Sequence, residues 1–453
     1  MDDFQVRPLY LATHKHTESR RSDIVSALDS ILLNPSAALT VLMPRSSPRD
    51  ATSRHDAVSA EEEAQFLRQR DFKVLNVKSI LKGGRPLVHE ATTSSVVPDC
   101  KSVRHKHIYT VGDPSVKTMR MLLEQVTSDG DSKKTIVIRD IREELVVYVN
   151  GIPYTRRDLE CPVSSLHHAE ASAEDIEHLE EILREDVRKE AKLHSGTVLL
   201  HHEVPACDSD DLRQGSQRLE QHRDGITHAV DQSAPAVVPV WGHVEEDGNG
   251  GQSRVSTPRD VFKALAEEGY PLKHARVPLS RGRSPSASDL DLLAHKTDQD
   301  EDSVYIIVSR ASRGSSARYA AAFFSLVQSA DRQLTKRRSF SKDPSQSKFA
   351  LGEYRSIMHL CRALSGGHVC KAAVDQAIDD CVNIGSLRED ILSCMYAVDS
   401  DPHTGQLGIH YLKRYFFLIA YRCFCDQHRG ESFEEWMGDR KELCHLLKVI
   451  KLE

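Results

Sequence analysis

The chain has 453 residues, which is enough for two or three domains with large hydrophobic cores. Charged residues make up 28% and the net charge is only -7, so overall charge predicts neither nucleic-acid binding nor attachment to a membrane surface. The ten cysteines are scattered, matching neither CxxC zinc spacing nor a compact disulfide framework, and no apolar run approaches 18 residues. We therefore predict a soluble cytoplasmic protein with reduced thiols and no membrane insertion.

The N-terminal segment, residues 1–71, carries the least functional information. Its sequence predicts a helix at Ser22–Leu33, followed by a polar linker at Pro44–Glu63. We interpret this segment as partly disordered, and it contains no internal repeat that would define a unit.

From Ile136 to Gln328, predicted strands and helices alternate. The predicted strands are Ile136–Ile138, Leu145–Val149, Thr197–Leu200, Ala275–Leu279 and Val304–Val308. The predicted helices in this range are Ser172–Lys192, Ser256–Gly269 and a helix from about Ala317, and a further predicted helix, Ser115–Val126, precedes the first strand. Cys207–Ala236 is predicted as an insertion loop. This order is typical of an α/β domain with a mostly parallel sheet flanked by helices, which we assign to residues 72–330.

Two histidine pairs could be metal ligands. His105 and His107 are separated by one residue, but no third ligand lies nearby. His201 and His202 precede Glu203 on a predicted strand, where successive side chains face opposite sides and cannot easily chelate one ion. We favour structural or solvated roles for both pairs and predict no cofactor.

The chain is organised around Asp302–Gln328, where a strand, a short polar turn and a helix follow one another. Val304–Val308 is an apolar, β-branched run that suits a strand buried on both faces of a parallel sheet. The turn is rich in Ser, Arg and Gly, and helical spacing of apolar residues begins after it. Such a turn directs backbone N–H groups and a helix N-terminus at an anion. A nucleotide P-loop is a weak alternative, because RASRGSS lacks the Gly-Lys-Ser/Thr that binds phosphates and magnesium.

This segment resembles the phosphate loop of the paladin family, whose units are similar to the protein-tyrosine-phosphatase-like inositol phosphatases (phytases). VKSILKGG at Val77–Gly84 is similar to a segment that opens such units, and Thr135–Glu160 resembles the family's strand, Arg-Glu-Glu turn and strand. The resemblance extends over roughly Phe72–Glu453 and implies a cysteine-phosphatase-like α/β fold. Because units of this family stand in tandem, it also offers the remnant of a preceding unit as an interpretation of residues 1–71.

The family signature is Cys, five residues, Arg, and then Thr or Ser. These positions correspond here to Ser309, Ser315 and Ser316, and the family's acidic Asp corresponds to Arg281 in the loop Ser280–Pro285. A serine cannot replace either the thiolate nucleophile or the two-pronged arginine clamp. A guanidinium cannot deliver a proton at neutral pH. The resemblance therefore implies a phosphatase fold that has lost its nucleophile, clamp and acid.

Two functional classes stay open. We favour a catalytically inactive paladin-like unit, a pseudophosphatase that binds phosphate or serves as a scaffold in signalling. The alternative is an active cysteine-phosphatase-like enzyme acting on phosphotyrosine or inositol phosphates, with its activity in another unit of a longer protein or from slow turnover by Ser309. The predicted ligand is an inositol polyphosphate or a phosphoprotein.

The candidate ligand-binding residues come from the phosphate loop and the former acid loop: Ser309, Arg310, Ala311, Ser312, Arg313, Gly314, Ser315, Ser316, Arg281 and Arg283. We expect the arginines, with Arg318, to converge on the mouth of the loop and Ser316 to cap the helix. The competing interpretation is that the serines only cap the helix and the arginines point to water. Arg142, Glu143 and Glu144 form either a polar rim of the site or solvated turn charges.

Residues 331–348 form a basic, serine-rich linker, in which KRRSFS is either a kinase target, a contact for acidic partners or a solvated connection. The sequence of residues 349–453 predicts an all-helical module, which we expect to bind protein partners. Its predicted helices are Tyr354–Leu364, Lys371–Cys381, Ser386–Val398 and His410–Asp426. The last is apolar nearly all round and should be central to the core, with FEEWM packing back on it.

Overall fold

The structure is a computed structural model that describes residues 86–89, 99–104, 106–128, 134–157, 168, 171–204, 236–245, 254–294, 303–330, 348–397, 402–427 and 430–452. Several expectations lie outside these residues: those for Ser22–Leu33, Pro44–Glu63, Val77–Gly84 and His105, for most of the insertion loop, and for the linker up to residue 347. The described residues form two compact units. Unit 1 lies within Met1–Thr93, Tyr154–Leu166 and Leu179–Val255, and unit 2 within Ser94–Pro153, His167–His178 and Ser256–Glu453. The domain boundaries drawn from the sequence stay predictions.

The described strands are β1 Leu87–His89, β2 Cys100–Ser102, β3 Ile108–Gly112, β4 Ile136–Asp140, β5 Val146–Val149, β6 Ile152–Arg156, β7 Thr197–Val204, β8 Ala236–His243, β9 Val255–Ser256, β10 Leu272–Arg276 and β11 Val304–Ser309. The described helices are α1 Val116–Ser128, α2 Ala173–Leu193, α3 Pro258–Glu267, α4 Ala287–Ala294, α5 Ser315–Ala330, α6 Arg355–Ala363, α7 Gly367–Asp380, α8 Leu387–Ala397, α9 Pro402–Gln427, α10 Phe433–Gly438 and α11 Lys441–Lys448.

Unit 2 is built on a five-stranded sheet in the order β10-β4-β11-β3-β2. The β10–β4, β4–β11 and β11–β3 pairs are parallel, and only the edge pair β2–β3 is antiparallel. Because β11 lies between β4 and β3, every one of its residues is buried. The predicted mostly parallel sheet is therefore confirmed, with the apolar run at its centre.

Helices cover both faces of this sheet, as the α/β prediction required. On β11, Ile306 and Val308 join a cluster that contains α1 and α3 side chains such as Met119 and Phe262. Tyr305 and Ile307 face the opposite way, into a cluster that runs from α5 into the C-terminal helices. This alternation follows from the two-residue period of a strand.

The C-terminal helical region shares the second cluster with α5, so its core is continuous with one face of the sheet in unit 2. Helix α9 is buried along most of its length, which confirms its predicted central place. Trp436 of α10 is buried and lies 5.8 Å from the Phe433 ring and 5.9 Å from the Phe424 ring of α9, so the FEEWM stretch does pack back on this core. No helix in the described ranges is both long and apolar enough to cross a bilayer.

In unit 1, the strands follow the order β8-β7-β1-β6. Strand β1 pairs in parallel with β7 and antiparallel with β6, while β7 and β8 form an antiparallel pair over their full length. The sequence did not predict β8. Its Pro239 and exposed Trp241 weaken the strand signal, yet β8 is an edge strand, where a missing N–H donor is tolerated.

Local sequence signals placed most element ends within a few residues. Helix α3 begins with the expected cap, since Thr257 accepts from Asp260 N, Asp260 caps Thr257 N in return, and Pro258 is the first helical residue. The predicted strand Ala275–Leu279 begins earlier, at Leu272. Beyond its end the chain stays extended, because Val277 N and Leu279 N still donate to Asp140 O and Ile141 O.

Candidate functional site

The candidate site lies where β11 ends and α5 begins, at the carboxyl end of the parallel strands. Ser309 is the last residue of β11 and pairs in register with Gly112 of β3, while α5 starts at Ser315. The loop between them closes with a turn in which Gly314 N donates to Ala311 O at 2.9 Å. The predicted strand, tight loop and helix are thus present.

Ser309, predicted from the resemblance to correspond to the family's nucleophile, is buried. Its Oγ donates to Ala311 O at 2.9 Å and lies 3.5 Å from Val111 O. Both neighbours are carbonyl oxygens, which cannot take a proton from the hydroxyl as a general base would. The hydroxyl is therefore held as a loop-stabilising donor.

Asp99 is a site residue that the sequence did not reveal. Its Oδ2 accepts from Ser312 N at 3.0 Å and its Oδ1 accepts from Ser312 Oγ at 2.5 Å. The approach depends on Gly112, since a Cβ there would lie 2.5 Å from Asp99 Oδ2. An internal carboxylate therefore already uses two donors of the loop that an anionic ligand would need. No sequence signal could have found this contact across 213 positions.

Ser315 and Ser316, predicted to correspond to the Arg and Thr of the signature, have different surroundings. Ser315 Oγ is buried and has no hydrogen-bond partner among the described residues. Ser316 Oγ donates to Leu279 O at 2.8 Å, so it joins the phosphate loop to the chain after β10. The expectation that Ser316 caps α5 is wrong, because its side chain donates outward from inside the first helical turn.

The former acid loop, Ser280–Pro285, begins directly after that contact. Arg281 is exposed, and its Nε lies 3.4 Å from Tyr411 Oη. Arg283 is half-buried and pairs with Asp289 at 3.5 Å. The two loops thus meet, as the parallel sheet predicted.

The remaining arginines do not all point to the loop. Arg313 is exposed at the tip of the loop. Arg310 is half-buried, and its charge is felt by Glu144. The pKa of Glu144 is raised overall, because burial and the neighbouring Glu143 outweigh the lowering effect of Arg310. Arg318 pairs instead with Asp390 of α8, so it does not take part in the expected convergence.

Arg414 of α9 connects the acid loop to the helical region. Its Nη2 donates to Ser280 O and lies 3.4 Å from Arg283 O and 3.3 Å from Ser316 Oγ. The guanidinium is almost fully buried and lies 5.2 Å from the centre of the Tyr411 ring, and burial lowers its pKa. An arginine within the apolar sequence YLKRYFFLIAY is the signal that could have identified it.

Beside the loop, the bend after β4 carries a buried ion network. Asp140 accepts from Arg142 Nη2 at 2.7 Å and Nε at 2.9 Å, and it lies 3.4 Å from Arg276 Nη1. Burial raises the pKa of Asp140, but the two guanidiniums outweigh burial and lower it well below its usual range. Because Arg142, Glu143 and Glu144 are all buried, the interpretation of this bend as solvated turn charges is wrong.

The residues present do not assemble a metal centre in the described part of the chain, where no three His, Cys, Asp or Glu side chains group suitably. In unit 1, His202 Nε2 lies 3.2 Å from Tyr154 Oη, and its ring centroid lies 5.8 Å from that of His89. Burial and the neighbouring His89 lower the pKa of His202. His202 thus belongs to an aromatic cluster with these two residues.

Residues 139–317 match the family model of the PTP-like phytases, which carries the description inositol hexakisphosphate. Residues 139–317 are therefore similar to a PTP-like phytase unit, and the strand–loop–helix site lies at the end of this match. More particularly, it is similar to paladin from Danio rerio, with 26% identity over 201 residues. That match covers 40% of this chain and 23% of the length of paladin.

Two solved structures are also similar. The PTP-like phytase from Bdellovibrio bacteriovorus is 13% identical, with a TM-score of 0.38 over 75% of this chain and 89% of that one. The PTP-like myo-inositol phosphatase from Mitsuokella multacida, solved with myo-inositol-(1,3,4,5)-tetrakisphosphate, is 12% identical, with a TM-score of 0.43 over 94% of this chain and 58% of that one.

Proposed function

We propose that this chain is a catalytically inactive phosphatase-like unit, a pseudophosphatase that serves as a phosphate-binding or scaffolding module in signalling. The observation that carries the proposal is the side chain of Ser309 at the end of β11. Its hydroxyl is buried and donates to Ala311 O at 2.9 Å. A hydroxyl attacks a phosphoester only with a general base to take its proton, and its two closest oxygens here are carbonyls.

The proposal gains support from the two other catalytic positions. Ser315 has no group that could grip two phosphoryl oxygens as an arginine fork does. Arg281 is an exposed guanidinium that keeps its proton at neutral pH, so it cannot protonate a leaving oxygen. The three losses affect separate steps of the reaction, and restoring one residue would not restore turnover.

Purified chain assayed on phytate, a phosphotyrosine peptide and an aryl phosphate tests the inactivity. We expect no turnover above a Ser309→Ala variant of the same preparation. Turnover that Ser309→Ala abolishes would overturn the proposal and favour the alternative, an active phosphatase acting on inositol phosphates or phosphotyrosine.

Ligand binding is the second part of the proposal, with inositol polyphosphates as the ligand class. Arg313 and Arg281 are exposed cations on the two loops that meet at the Leu279–Ser316 contact. A charge-assisted hydrogen bond contributes about 1.5–3 kcal/mol, so losing both arginines should weaken binding at least tenfold. Because Asp99 already engages Ser312, we expect the wild-type affinity itself to be modest.

Calorimetry with inositol hexakisphosphate measures this effect. The Arg281→Ala, Arg313→Ala double variant is compared with Lys117→Ala, Lys263→Ala, which removes two exposed cations elsewhere in unit 2. Equal affinities of both double variants would end the phosphate-binding part and leave the scaffolding part.

Partner binding through the helical region and a cytoplasmic location complete the proposal. The described cysteines are free thiols, and most of them are buried. Free buried thiols are what a reducing compartment favours. Fluorescence microscopy of tagged chain, with a cytosolic marker, tests the location.

A further inference from the structure

The helical region of unit 2 carries a groove between α6 and α11, which we call the α6–α11 groove. Its volume is about 690 Å³, and it is shallow and broadly open to solvent. Its lining residues are His359, Arg362, Ala363, Lys441, Glu442, His445 and Leu446. A concave site of several hundred cubic ångströms is of the size that binds ligands or peptide segments.

The charged side chains of this groove are predominantly basic. Arg362 and Lys441 carry permanent positive charge at neutral pH, and only Glu442 opposes them. All three side chains are exposed, whereas the neighbouring Arg440 is not available, because it stacks 3.9 Å from the centre of the Trp436 ring. The whole chain has a net charge of -7, so this groove is a local basic surface on an acidic protein.

The groove also offers apolar surface to a ligand. Ala363 and Leu446 lie between the basic side chains, and the exposed surface of the lining atoms is mainly carbon. A free polyphosphate has no apolar group to bury against this carbon surface. A peptide that carries an apolar side chain among carboxylates complements both features.

We propose that the α6–α11 groove docks an acidic peptide segment of a partner protein, with its carboxylates on Arg362 and Lys441 and an apolar side chain against Ala363 and Leu446. This inference deepens the partner-binding part of the proposed function and is independent of the phosphate loop. Turnover in the phosphatase assay would refute the proposed inactivity but not the proposed peptide binding. Absence of peptide binding at the groove would refute this inference but not the inactivity argued from Ser309.

Selection of a random-peptide phage library on the immobilised full chain tests the proposal, because it requires no candidate partner. We expect the enriched peptides to be acidic, with at least one large apolar residue. A fluorescein-labelled copy of the strongest peptide is then titrated by anisotropy. The Arg362→Glu, Lys441→Glu variant should weaken its binding at least tenfold, and Arg362→Gln, Lys441→Gln should weaken it by a smaller factor.

The matched control is Lys448→Glu, Lys451→Glu, which reverses two exposed charges near the end of the chain that do not line the groove. It should weaken peptide binding less than twofold. Absence of enrichment, neutral or basic peptides, or equal losses in both charge-reversal variants would each overturn the proposal. Displacement of the peptide by equimolar inositol hexakisphosphate would also overturn it, since the groove would then prefer a free polyanion.

Discussion

Replacing Asp140 by Asn should destabilise unit 2 strongly, because it removes a buried negative charge that contacts both Arg142 and Arg276. The Asp140 side chain is 0% exposed, and those of the two arginines are each 1% exposed. The carboxylate accepts from Arg142 at 2.7 and 2.9 Å, with Arg276 at 3.4 Å. Breaking a buried pair by removing one partner costs about 3–5 kcal/mol. Because Arg142 keeps its ion pair with Asp113 at 2.9 Å, we expect a loss at the lower end of this range, about 3 kcal/mol.

The control is a surface pair of similar geometry. Arg120 contacts Glu268 at 2.6 and 2.9 Å, but their side chains are 46% and 37% exposed. Glu268→Gln should cost no more than about 1 kcal/mol, since solvent screens an exposed pair. Because the two pairs have similar distances, a larger loss of stability in Asp140→Asn than in Glu268→Gln would report the effect of burial and not of bond length.

Urea unfolding followed by tryptophan fluorescence measures both variants. The chain has two tryptophans, and Trp436 is buried in unit 2, so a Trp241→Phe background makes the signal specific to that unit. If Asp140→Asn costs the same as Glu268→Gln, the reasoning from burial is refuted.

The pH dependence gives a second readout. The folded pKa of Asp140 lies below its unfolded value of about 3.9, so its stabilisation is complete above that value and is lost as pH falls further. The difference in the free energy of unfolding between wild type and Asp140→Asn should stay constant from about pH 8 to 5 and become smaller below about pH 4. A gap that widens on acidification would contradict the assigned direction of the shift.

Three further outcomes follow from the site and its supports. Asp99→Asn removes the charge that competes for Ser312 N, and calorimetry should find inorganic phosphate bound about tenfold more tightly, a gain of about 1.4 kcal/mol. Thr257→Ala should lower the free energy of unfolding by about 1 kcal/mol in urea, because the capping box at α3 is lost. Arg414→Ala leaves Ser280 O without this donor and opens a cavity, so it should cost about 3–5 kcal/mol by the Trp436 signal, whereas Arg414→Met fills the space and should cost far less.

Each of these has its own control. An exposed carboxylate changed in the same unit, Glu124→Gln, should leave phosphate affinity unchanged, and an equal gain there would point to overall charge instead of Asp99. Thr257→Ser keeps the capping oxygen and should stay within a few tenths of a kcal/mol of wild type. If Arg414→Met costs as much as Arg414→Ala, the guanidinium's hydrogen bonds matter more than its volume.

The sequence by itself determined the features that depend on neighbouring residues. The β-branched run Val304–Val308 predicted the central strand, because such side chains fit a pleated, doubly covered position. Thr257, Pro258 and Asp260 predicted the start of α3, since a capping box is complete within four residues. The sequence alone also shows that position 309, at the end of this strand, is a serine, which has no thiol and cannot form a thiolate.

Only the tertiary structure decided which distant groups surround that loop. Asp99 reaches Ser312 across 213 positions, and Arg414 reaches Ser280 across 134. In sequence, the charges of Arg142, Glu143 and Glu144 fitted either a polar rim of the site or solvated turn charges, yet the fold buries all three and pairs Arg142 with Asp140. Such contacts depend on how strands and helices pack, and a carboxylate or guanidinium carries no local signal of the partner that packing will bring to it.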